Sequence, residues 1–545
     1  MLAARWSRFR KKLLEDYPQL QPDHATYRWL VLCGVMIATF MAVLDVTIVN
    51  VALPKLMASF GVSVDRVEWI LTAYLLIFGV MLPTSGWLAD HLGYKLVFTS
   101  GLLLFTLGSF LCSLAWDFNV LLAFRVLQGV GAGVLMPVGM AIITREFPPE
   151  KRGIALAFWT IAASASVSLG PWIGGYLIDN YSWHSIFDVN VPVGIVGMGT
   201  AVIILRERKA AAARSFDVVG FLSLAAFLTS LLLALSNGNS AWNTGGWTSN
   251  YILSCLAISL VSLVIFLITE FSVEHPLIEL DLFKNFNFAV SNLVLFLFGL
   301  GMFGSTFLLP IYLQNSLGYT PLQAGLVFLP VGILQGLSAP LAGLFSDRYT
   351  PKIPAMLGMT LMAFTFYQFS FLSFLSERHE IMLPLYLRGF AMGILFAPLT
   401  TLAIAEIPHQ KMAQASGLFN VIRQIGGSFG VAVFGSILTR RNIYHLATYS
   451  RQLDPYSDSF KNTVTKLKFF ALHATGGTTD AAIVKAKAQI VSFAANQAFI
   501  RAVDDVFLVA GAVVMLGVVP VLFLRTHKKP LRGDVHARVV VAAAD

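Results

Sequence analysis

The stretch 29–50, WLVLCGVMIATFMAVLDVTIVN, decides the class of this protein. It is long enough to cross the hydrocarbon core of a bilayer as one helix, which takes about 20 residues, and Asp45 is its only charged residue. Similar apolar runs recur along the 545 residues, of which 57% are hydrophobic and only 12% are charged. Soluble domains contain about 25% charged residues. The composition therefore excludes a water-soluble globule and predicts an integral membrane protein.

Apolar windows of about 20 residues, separated by charged or Gly/Pro-rich turns, predict a series of membrane-spanning helices. Eight windows precede the polar stretch 271–287 and six follow it, so we expect fourteen spans. An even number places both termini on the same side of the membrane. The predicted spans are 29–50, 69–88, 96–116, 119–142, 154–178, 189–205, 218–236, 251–270, 288–312, 322–345, 353–375, 381–405, 414–438 and 506–524.

Basic residues are distributed unevenly between the two sides of this topology. The side of the termini holds most of them, whereas the short loops opposite contain only Lys55, Arg66 and Arg378. Because cytoplasmic loops carry the basic excess in membrane proteins, both termini are predicted to be cytoplasmic. The net charge of +9 thus reflects topology, and nucleic acid is not an expected partner.

The N-terminal segment and the cysteines add two smaller expectations. Residues 1–28 are polar and basic and lack a small-residue cleavage site, which is typical of a retained tail and not of a signal peptide. The cysteines Cys33, Cys112 and Cys255 all lie in apolar runs. Their positions indicate neither a disulfide framework nor a metal site.

An internal repeat divides the chain. The loop after the second span reads GWLADHLGYK (86–95), and the loop after the tenth reads GLFSDRYTPK (343–352), with Gly, Asp and Lys at matching positions. Arginines inside the fourth and twelfth spans, Arg125 and Arg388, repeat similarly. Duplicated halves around a midplane cavity are typical of secondary transporters.

The repeat spacing predicts six spans, two inserted spans and six further spans. The expected organisation is a cytoplasmic N-terminal tail (1–28), an N-terminal six-helix bundle (29–205), two inserted helices with linkers (206–287), a C-terminal six-helix bundle (288–524) that includes a long periplasmic loop (440–505), and a cytoplasmic C-terminal tail (525–545).

These motifs resemble the major facilitator superfamily, and specifically its fourteen-span drug:proton antiporters of the EmrB/QacA type. The resemblance extends over about 29–524, although His91 stands where the loop signature usually has an arginine. It implies an all-α major facilitator fold of two pseudo-symmetric bundles in the cell inner membrane, and proton-coupled export of amphipathic and lipophilic compounds. The matching segments are 44–54, 86–95, 125–133, 170–175, 183–194 and 310–330.

Asp45 is the main candidate for proton coupling. The other acidic residues lie in loops, in tails or at the ends of predicted spans, whereas Asp45 lies well inside the first. A carboxylate there costs several kcal/mol unless it is neutral, paired or facing water. Asp45 is therefore either a proton carrier or a structural carboxylate that is permanently paired.

Arg125 is equally costly inside a span and does not deprotonate, so it must pair or face an aqueous cavity. We expect it either to favour the charged form of Asp45 and help proton release, or to be a static anchor. The same alternatives apply to Arg388.

Several further positions are candidates for conformational change. The resemblance implies that Asp90 and Asp347 latch the two halves on the cytoplasmic side, although simple helix capping is an alternative. Either the glycines of the fifth span only let helices pack closely or, as the resemblance implies, Gly170-Pro171 kinks this span, and its close packing controls sliding between the inward-open and outward-open forms. The full set is Gly86, Asp90, Lys95, Gly170, Pro171, Gly174, Gly175 and Asp347.

Helix position in the superfamily implies a few polar contacts to substrate, in a cavity otherwise rich in Phe and Met, which accept many amphipathic shapes. The candidates are Asn50, Tyr74, Gln128, Gln314 and Arg388.

The energy source is expected to be the proton gradient, without a cofactor. The chain contains no Gly-Lys dipeptide, so the phosphate-binding Walker A loop is absent. Residues 426–430, GGSFG, match the Gly-x-Ser-x-Gly pattern of hydrolases, but that motif requires a strand-to-helix turn and a histidine base. No histidine lies inside a predicted span. We therefore expect a transporter and not an enzyme built on Ser428.

The long loop 440–505 resembles the corresponding loop of EmrB-like pumps, which pass substrate to a membrane-fusion adaptor and an outer-membrane channel. It is therefore predicted to be a hairpin that docks an adaptor or shapes the exit, or else an amphipathic hairpin that lies on the membrane surface. The expected partners are the lipid bilayer and lipophilic small molecules. The alternative functions are facilitated import of a small nutrient and export of one specific fatty acid or metabolite.

Overall fold

The computed structural model describes residues 25–207, 216–240, 242–274, 276–348, 350–404, 406–407, 412–475 and 478–525. Helices make up most of this part of the chain, and no strand occurs among the described residues. Helices are the expected solution because every backbone polar group must find a partner within its own segment when lipid surrounds it. The predicted all-α class is confirmed.

We number the helices that correspond to the predicted spans α1 to α14. The first eight are α1 (Ala25–Phe60), α2 (Trp69–Leu92), α3 (Tyr94–Ser113), α4 (Phe118–Glu146), α5 (Pro149–Asn180), α6 (Asn190–Ile204), α7 (Val218–Asn237) and α8 (Asn250–Ser272). The remaining six are α9 (Phe286–Thr306), α10 (Pro321–Arg348), α11 (Lys352–Phe369), α12 (Arg378–Ile404), α13 (Met412–Gln452) and α14 (Thr479–Leu516).

Thirteen helical stretches in the described residues are long and apolar enough to cross a membrane. The predicted span 353–375 corresponds to α11, which has 18 residues and carries polar side chains at both ends, Lys352 and Gln368. Since α11 packs against α12 and α14 as an integral part of the second bundle, it is the remaining membrane helix of the fourteen-helix arrangement.

The segment 440–505, predicted to be a hairpin between the last two spans, is mostly helical. Helix α13 runs on to Gln452, a connecting helix covers Asp458–Thr475, and α14 begins at Thr479. Hydropathy falls in this segment because charged residues enter it, and that fall ended the predicted spans. Helix-favouring residues such as the alanines of 481–498 nevertheless continue the helices beyond the apolar runs.

The two halves repeat the same packing. Helix α2 packs on α4 and α3 on α4 in the first half, as α10 packs on α12 and α11 on α12 in the second. Across the interface, α5 packs against α10 and α13 against α2, which are equivalent pairs in the repeat. The inserted helices α7 and α8 pair with each other, and α7 contacts both α2 and α13.

The end of the molecule that carries the α1–α2 and α9–α10 connections is called the distal end. The opposite end, where Gly93 and residues 350–351 lie, is called the proximal end. The halves touch at the distal end. The Leu322 amide donates to Asp179 Oδ2 over 2.9 Å, and Gln314 Nε2 donates to the Val51 carbonyl over 2.8 Å. At the proximal end, a Cβ added at Gly86 or Gly343 would meet no atom within 4 Å.

Glycines permit the distal contact of α5 with α10. A Cβ added at Gly175 would lie 2.6 Å from Leu322 Cα, and one added at Gly325 would lie 3.1 Å from Trp172 Cα and closer still to the Pro171 carbonyl. Only hydrogen at these positions lets the two backbones meet, as in other close helix pairs in membranes.

We expect Gly325→Ala to destabilise the protein by about 1–3 kcal/mol, because the added methyl group overpacks a backbone contact. The thermal unfolding midpoint in detergent measures the effect. Gly199→Ala is the matched control, since a Cβ there meets nothing within 4 Å and alanine favours the helix. Equal midpoints for the two variants would contradict the close packing.

Candidate functional site

A buried ion pair lies inside the first bundle. Arg125 Nη1 on α4 is 2.5 Å from Asp45 Oδ2 on α1, and both side chains are 0% exposed. Two intramembrane charges that sequence reasoning singled out separately are thus brought together. The pair satisfies the requirement that a charge in a span must have a partner.

Two amides complete the surroundings of the Asp45 carboxylate. Gln128 Nε2 donates to Asp45 Oδ1 over 2.9 Å, and Asn190 Nδ2 at the start of α6 donates to the same oxygen over 3.2 Å. The Gln128 amide oxygen in turn accepts from Arg125 Nη1 over 2.7 Å. The carboxylate therefore accepts hydrogen bonds from one charged and two neutral donors.

Arg125 is fixed by further contacts on α2. Its Nε donates to the Ile70 carbonyl over 3.2 Å, and its guanidinium lies 4.2 Å from the ring centre of Tyr74. The Tyr74 hydroxyl donates to the Ala42 carbonyl on α1 over 3.2 Å. One buried nitrogen, Nη2, has no hydrogen-bond partner in the described structure. Helices α1, α2, α4 and α6 thus meet at one polar network.

Sequence reasoning missed part of this network. Asn190 also donates to Ser109 Oγ over 3.1 Å, and the Ser109 hydroxyl donates to the Phe187 carbonyl over 2.8 Å. The Cys112 thiol lies 3.8 Å from the Gln128 amide oxygen. Asn190 belongs to the segment 183–194 already matched to the family, and that match was the signal that could have pointed to it.

Four of the five predicted polar substrate contacts, all except Arg388, do not share one location. Tyr74 and Gln128 belong to the network around Asp45. Asn50 donates to the Val46 carbonyl of its own helix over 3.3 Å, and Gln314 bridges the two halves at the distal end. Among the described residues, neither Asn50 nor Gln314 forms a hydrogen bond with Asp45, and their role toward substrate stays a prediction.

Arg388 occupies the equivalent position in the second half, but no carboxylate among the described residues pairs with it. Its Nη2 donates to Thr306 Oγ1 over 2.5 Å and to the Met302 carbonyl over 3.4 Å. Nε and Nη1 are buried without hydrogen-bond partners among the described residues. The repeat therefore conserves the arginine and not the acid, so the two halves differ electrostatically.

The loop motif at the proximal end makes contacts within the first half. Asp90 Oδ1 accepts from the Tyr94 hydroxyl over 2.5 Å and lies 3.4 Å from Arg145 Nη2. Lys95 Nζ donates to the Val202 carbonyl over 2.5 Å. Asp347 lies in the last turn of α10, but its side chain is outside the described part of the structure. The predicted latch between the halves stays a prediction.

The fifth-span motif packs α5 directly on α1 beside the ion pair. A Cβ added at Gly170 would approach the Ile48 amide to 3.2 Å, and one at Gly174 would approach the Ile48 carbonyl to 2.9 Å. The Thr47 hydroxyl on α1 lies 3.3 Å from the Ser166 carbonyl. Helix α5 therefore contacts the α1 segment next to Asp45 on one side and α10 on the other, and it connects the site to the interface.

Ser428 does not form a nucleophile elbow. It lies inside α13, where its hydroxyl donates to the Gln424 carbonyl over 3.3 Å. A strand-to-helix turn, which the hydrolase motif requires, is absent from this described segment.

Two membrane bundles related by an internal repeat, with a buried acid–arginine pair in one of them, define a secondary transporter. The sequence profile described as Major Facilitator Superfamily matches residues 35–431. The chain therefore belongs to the Major Facilitator Superfamily, as the motifs predicted, and it is a multi-pass membrane transporter and not an enzyme.

Relatives place the chain among the EmrB-type members. It is 30% identical over 507 residues to the "Multidrug export protein EmrB" of Escherichia coli (strain K12), covering 92% of this chain and 96% of that one. It is 32% identical over 439 residues to the "Probable multidrug resistance protein EmrY" of the same strain, covering 80% and 85%. It is 30% identical over 511 residues to the "Fatty acid resistance protein FarB" of Neisseria gonorrhoeae, covering 93% and 97%.

A solved structure shares the fold. A bacterial homolog of the human lysosomal transporter Spinster, in an inward-facing and unoccupied conformation, aligns with a TM-score of 0.59 at 18% identity, covering 93% of this chain and 100% of that one. This likeness confirms the predicted major facilitator fold.

We expect Arg125→Gln to destabilise the protein by about 3–5 kcal/mol, because it leaves the Asp45 carboxylate buried without a cation. Asp45→Asn in the same chain is expected to recover much of that loss, since the pair is then neutral on both sides. Thermal unfolding in detergent of the two single variants and the double variant measures the coupling.

Arg388→Gln is the matched control for this cycle, since it removes a buried arginine that has no carboxylate partner. We expect no interaction between Arg388→Gln and Asp45→Asn. Additive effects of Arg125→Gln and Asp45→Asn would show that the pair is not energetically coupled.

Proposed function

We propose that this protein is a proton-coupled antiporter that exports amphipathic and lipophilic compounds by alternating access. The observation that carries the proposal is the desolvated pair of Asp45 and Arg125 inside the first bundle. We further propose that the protein lies in the inner membrane with the proximal end and both tails in the cytoplasm, so that the distal end faces outward. The distribution of basic residues supports this orientation.

Proton coupling follows from the competition of two cations for one carboxylate. In the structure Arg125 neutralises Asp45 by donating to Oδ2, and Gln128 and Asn190 both donate to Oδ1. A proton on Asp45 would remove the partner of a buried guanidinium, which is unfavourable unless the guanidinium moves or water enters. Proton binding at Asp45 is therefore coupled to rearrangement of α4 against α1.

Export then requires that the loaded and unloaded forms prefer different conformations. A proton from outside loads Asp45 when the distal end is open, and the carrier returns inward. Arg125 replaces the proton in the inward-open form, and substrate binds the deprotonated carrier. Coupling requires that proton and substrate favour different states of the same site. Helix α5, which contacts both α1 and α10, connects this change to the interface between the halves.

The substrate class rests on the relatives. EmrB and EmrY are named for multidrug export and multidrug resistance, and FarB is named for fatty acid resistance with similar identity and coverage. All three names are consistent with lipophilic or amphipathic cargo. The likeness to FarB favours export of a fatty acid as the second candidate, and a dye panel that includes a fluorescent fatty acid separates the two.

We expect Asp45→Asn to abolish gradient-driven export while leaving the protein folded, because asparagine keeps the shape of the carboxylate but binds no proton. The measurement is uptake of several lipophilic dyes and one fluorescent fatty acid into everted vesicles with an imposed proton gradient. Asp117→Asn is the control, since Asp117 is an exposed helix cap whose side chain accepts from the Asn119 amide.

Uphill, pH-dependent transport by Asp45→Asn would contradict the coupling role of Asp45. Transport by the unaltered protein that equilibrates but never concentrates, and does not respond to pH, would instead indicate the facilitated importer.

We also propose that the distal extension docks a membrane-fusion adaptor, which in turn reaches an outer-membrane channel. The distal extension comprises α13 from Arg440, the connecting helix, and α14 up to Asp505. Its two long helices are joined where Arg441 Nε and His445 Nε2 each lie 2.6 Å from Asp505 Oδ2. Beyond these contacts with Asp505, the connecting helix exposes apolar side chains such as Phe470, which is 77% exposed.

We expect a photo-crosslinking residue at Phe470 to capture an adaptor in the native host, because this exposed side chain lies on the proposed docking surface. The same residue at Trp116, which is also 77% exposed and lies in the distal α3–α4 connection, is the control and should capture none. Mass analysis of the adducts is the measurement. Adducts with lipid alone at Phe470 would indicate a hairpin that lies on the membrane surface.

A further inference from the structure

A second buried carboxyl group lies at the distal end, away from the Asp45 site. Glu68, immediately before α2, is completely buried. Its Oε1 accepts from the Ser236 hydroxyl at the end of α7 over 2.7 Å. Its Oε2 is buried and has no hydrogen-bond partner in the described structure. Only one of the two carboxyl oxygens therefore has a hydrogen-bond partner among the described residues.

The carboxyl group occupies a notch in the second half of the protein. Gly435 on α13 has no side chain, and a Cβ added there would overlap the Glu68 carboxyl oxygens. The next residue, Ser436, accepts at its hydroxyl from Asn239 Nδ2 over 2.8 Å. Glu68 thus lies where the first bundle, the inserted pair and the second bundle meet, and the notch exists only while α2 and α13 are in contact.

The charges around Glu68 do not compensate an ionised carboxylate. Asp65, on the short helix that precedes it, is acidic and buried, and the neighbouring Arg66 is exposed and lies over the Phe118 ring at 5.4 Å. On α13 the basic Arg441 is paired with Asp505, and the last turn of α7 contains no charged residue. Among the described ion pairs none includes Glu68. A buried carboxylate without a cation is costly, and the neutral acid is much less so.

We propose that Glu68 is a second proton-binding site, which holds the distal end closed when it is protonated. Separation of α13 from α2 opens the notch, water reaches the carboxyl group, and the proton leaves to the outside. An external proton must return to Glu68 before the notch can close without burying a charge. The proton leaves to the distal side and returns from the same side. Glu68 therefore sets the pH at which the distal end closes, and it does not change the number of protons carried across the membrane.

The proton on Glu68 gives the outside pH a direct effect on whether the distal end is open or closed. Its use in transport rests on the proposed antiport, because acid outside would then close the distal end just after Asp45 has been loaded. Its existence does not depend on antiport, since it follows from the contacts of Glu68 with Ser236 and Gly435. The two ideas can therefore be tested apart.

The test is a distance measurement across the distal end by pulsed electron resonance, in lipid nanodiscs at a series of pH values. Spin labels are placed through Ser63→Cys and Asn315→Cys, two exposed positions in the distal connections of the two halves. Cys33, the exposed native cysteine, is replaced by Ser. All samples carry Asp45→Asn, so that the titration of Asp45 does not contribute.

We expect the ratio of long to short distances to rise with pH by up to about tenfold per pH unit through the transition, as linkage to one proton requires. Glu68→Gln is expected to hold the short distance at all pH values, because the amide fills the notch without a charge. Gly435→Ala is expected to favour the long distance at all pH values, because its methyl group displaces the carboxyl group. Asp117→Asn is the matched acidic control and should keep the pH response.

A pH response that Glu68→Gln leaves unchanged would overturn the proposal, as would a parent protein with no pH response. If Glu68→Gln does not fold, Ser236→Ala decides the question: losing the donor that favours the ionised form should move the transition to higher pH, and an unmoved transition overturns the assignment. Failure of the antiport itself appears separately, as uphill transport by Asp45→Asn in vesicles while the distal distance still titrates.

Discussion

The rest of the structure depends on one requirement, that the charge of Asp45 be satisfied inside the membrane. The carboxylate can be neutralised only by a proton or by a cation at hydrogen-bond distance, because lipid offers no compensation. Arg125 supplies that cation at 2.5 Å. Its placement fixes α4 against α1 and orders Tyr74 on α2 and Asn190 on α6 around the pair. A change at Asp45 therefore alters contacts among four helices, α1, α2, α4 and α6.

The internal repeat supplies matching scaffolds, but the two halves carry different chemistry. Arg125 faces a carboxylate, whereas Arg388 donates to the Thr306 hydroxyl and to a backbone carbonyl. The packing of the halves is equivalent, with α5 on α10 and α13 on α2. The symmetric frame provides two equivalent interfaces between the halves, and among the described residues the buried acid–arginine pair lies in the first half.

Much of the site could be predicted from the sequence because charge is scarce in a membrane. Asp45 and Arg125 stand out inside apolar runs, and the physical cost of burying them predicts that each needs a partner. Asn190 and Glu68 could not be identified in the same way. Both lie at the edge of an apolar run, where a polar residue is ordinarily exposed to water, and only the packing of α6 and α13 buries them.

The sequence by itself determined the all-α membrane class, the positions of the spans and the internal repeat. Hydropathy and basic-residue bias are local properties of each segment, and they decide directly whether that segment enters the bilayer. It predicted a hairpin with helix-favouring runs over 440–505 but did not determine where its helices begin and end, since charged and polar helices carry only a weak hydropathy signal. Only the tertiary structure decided which polar groups meet. The pairing of Asp45 with Arg125 and the seating of Glu68 at Gly435 join residues far apart in the chain, and such contacts depend on how whole helices pack.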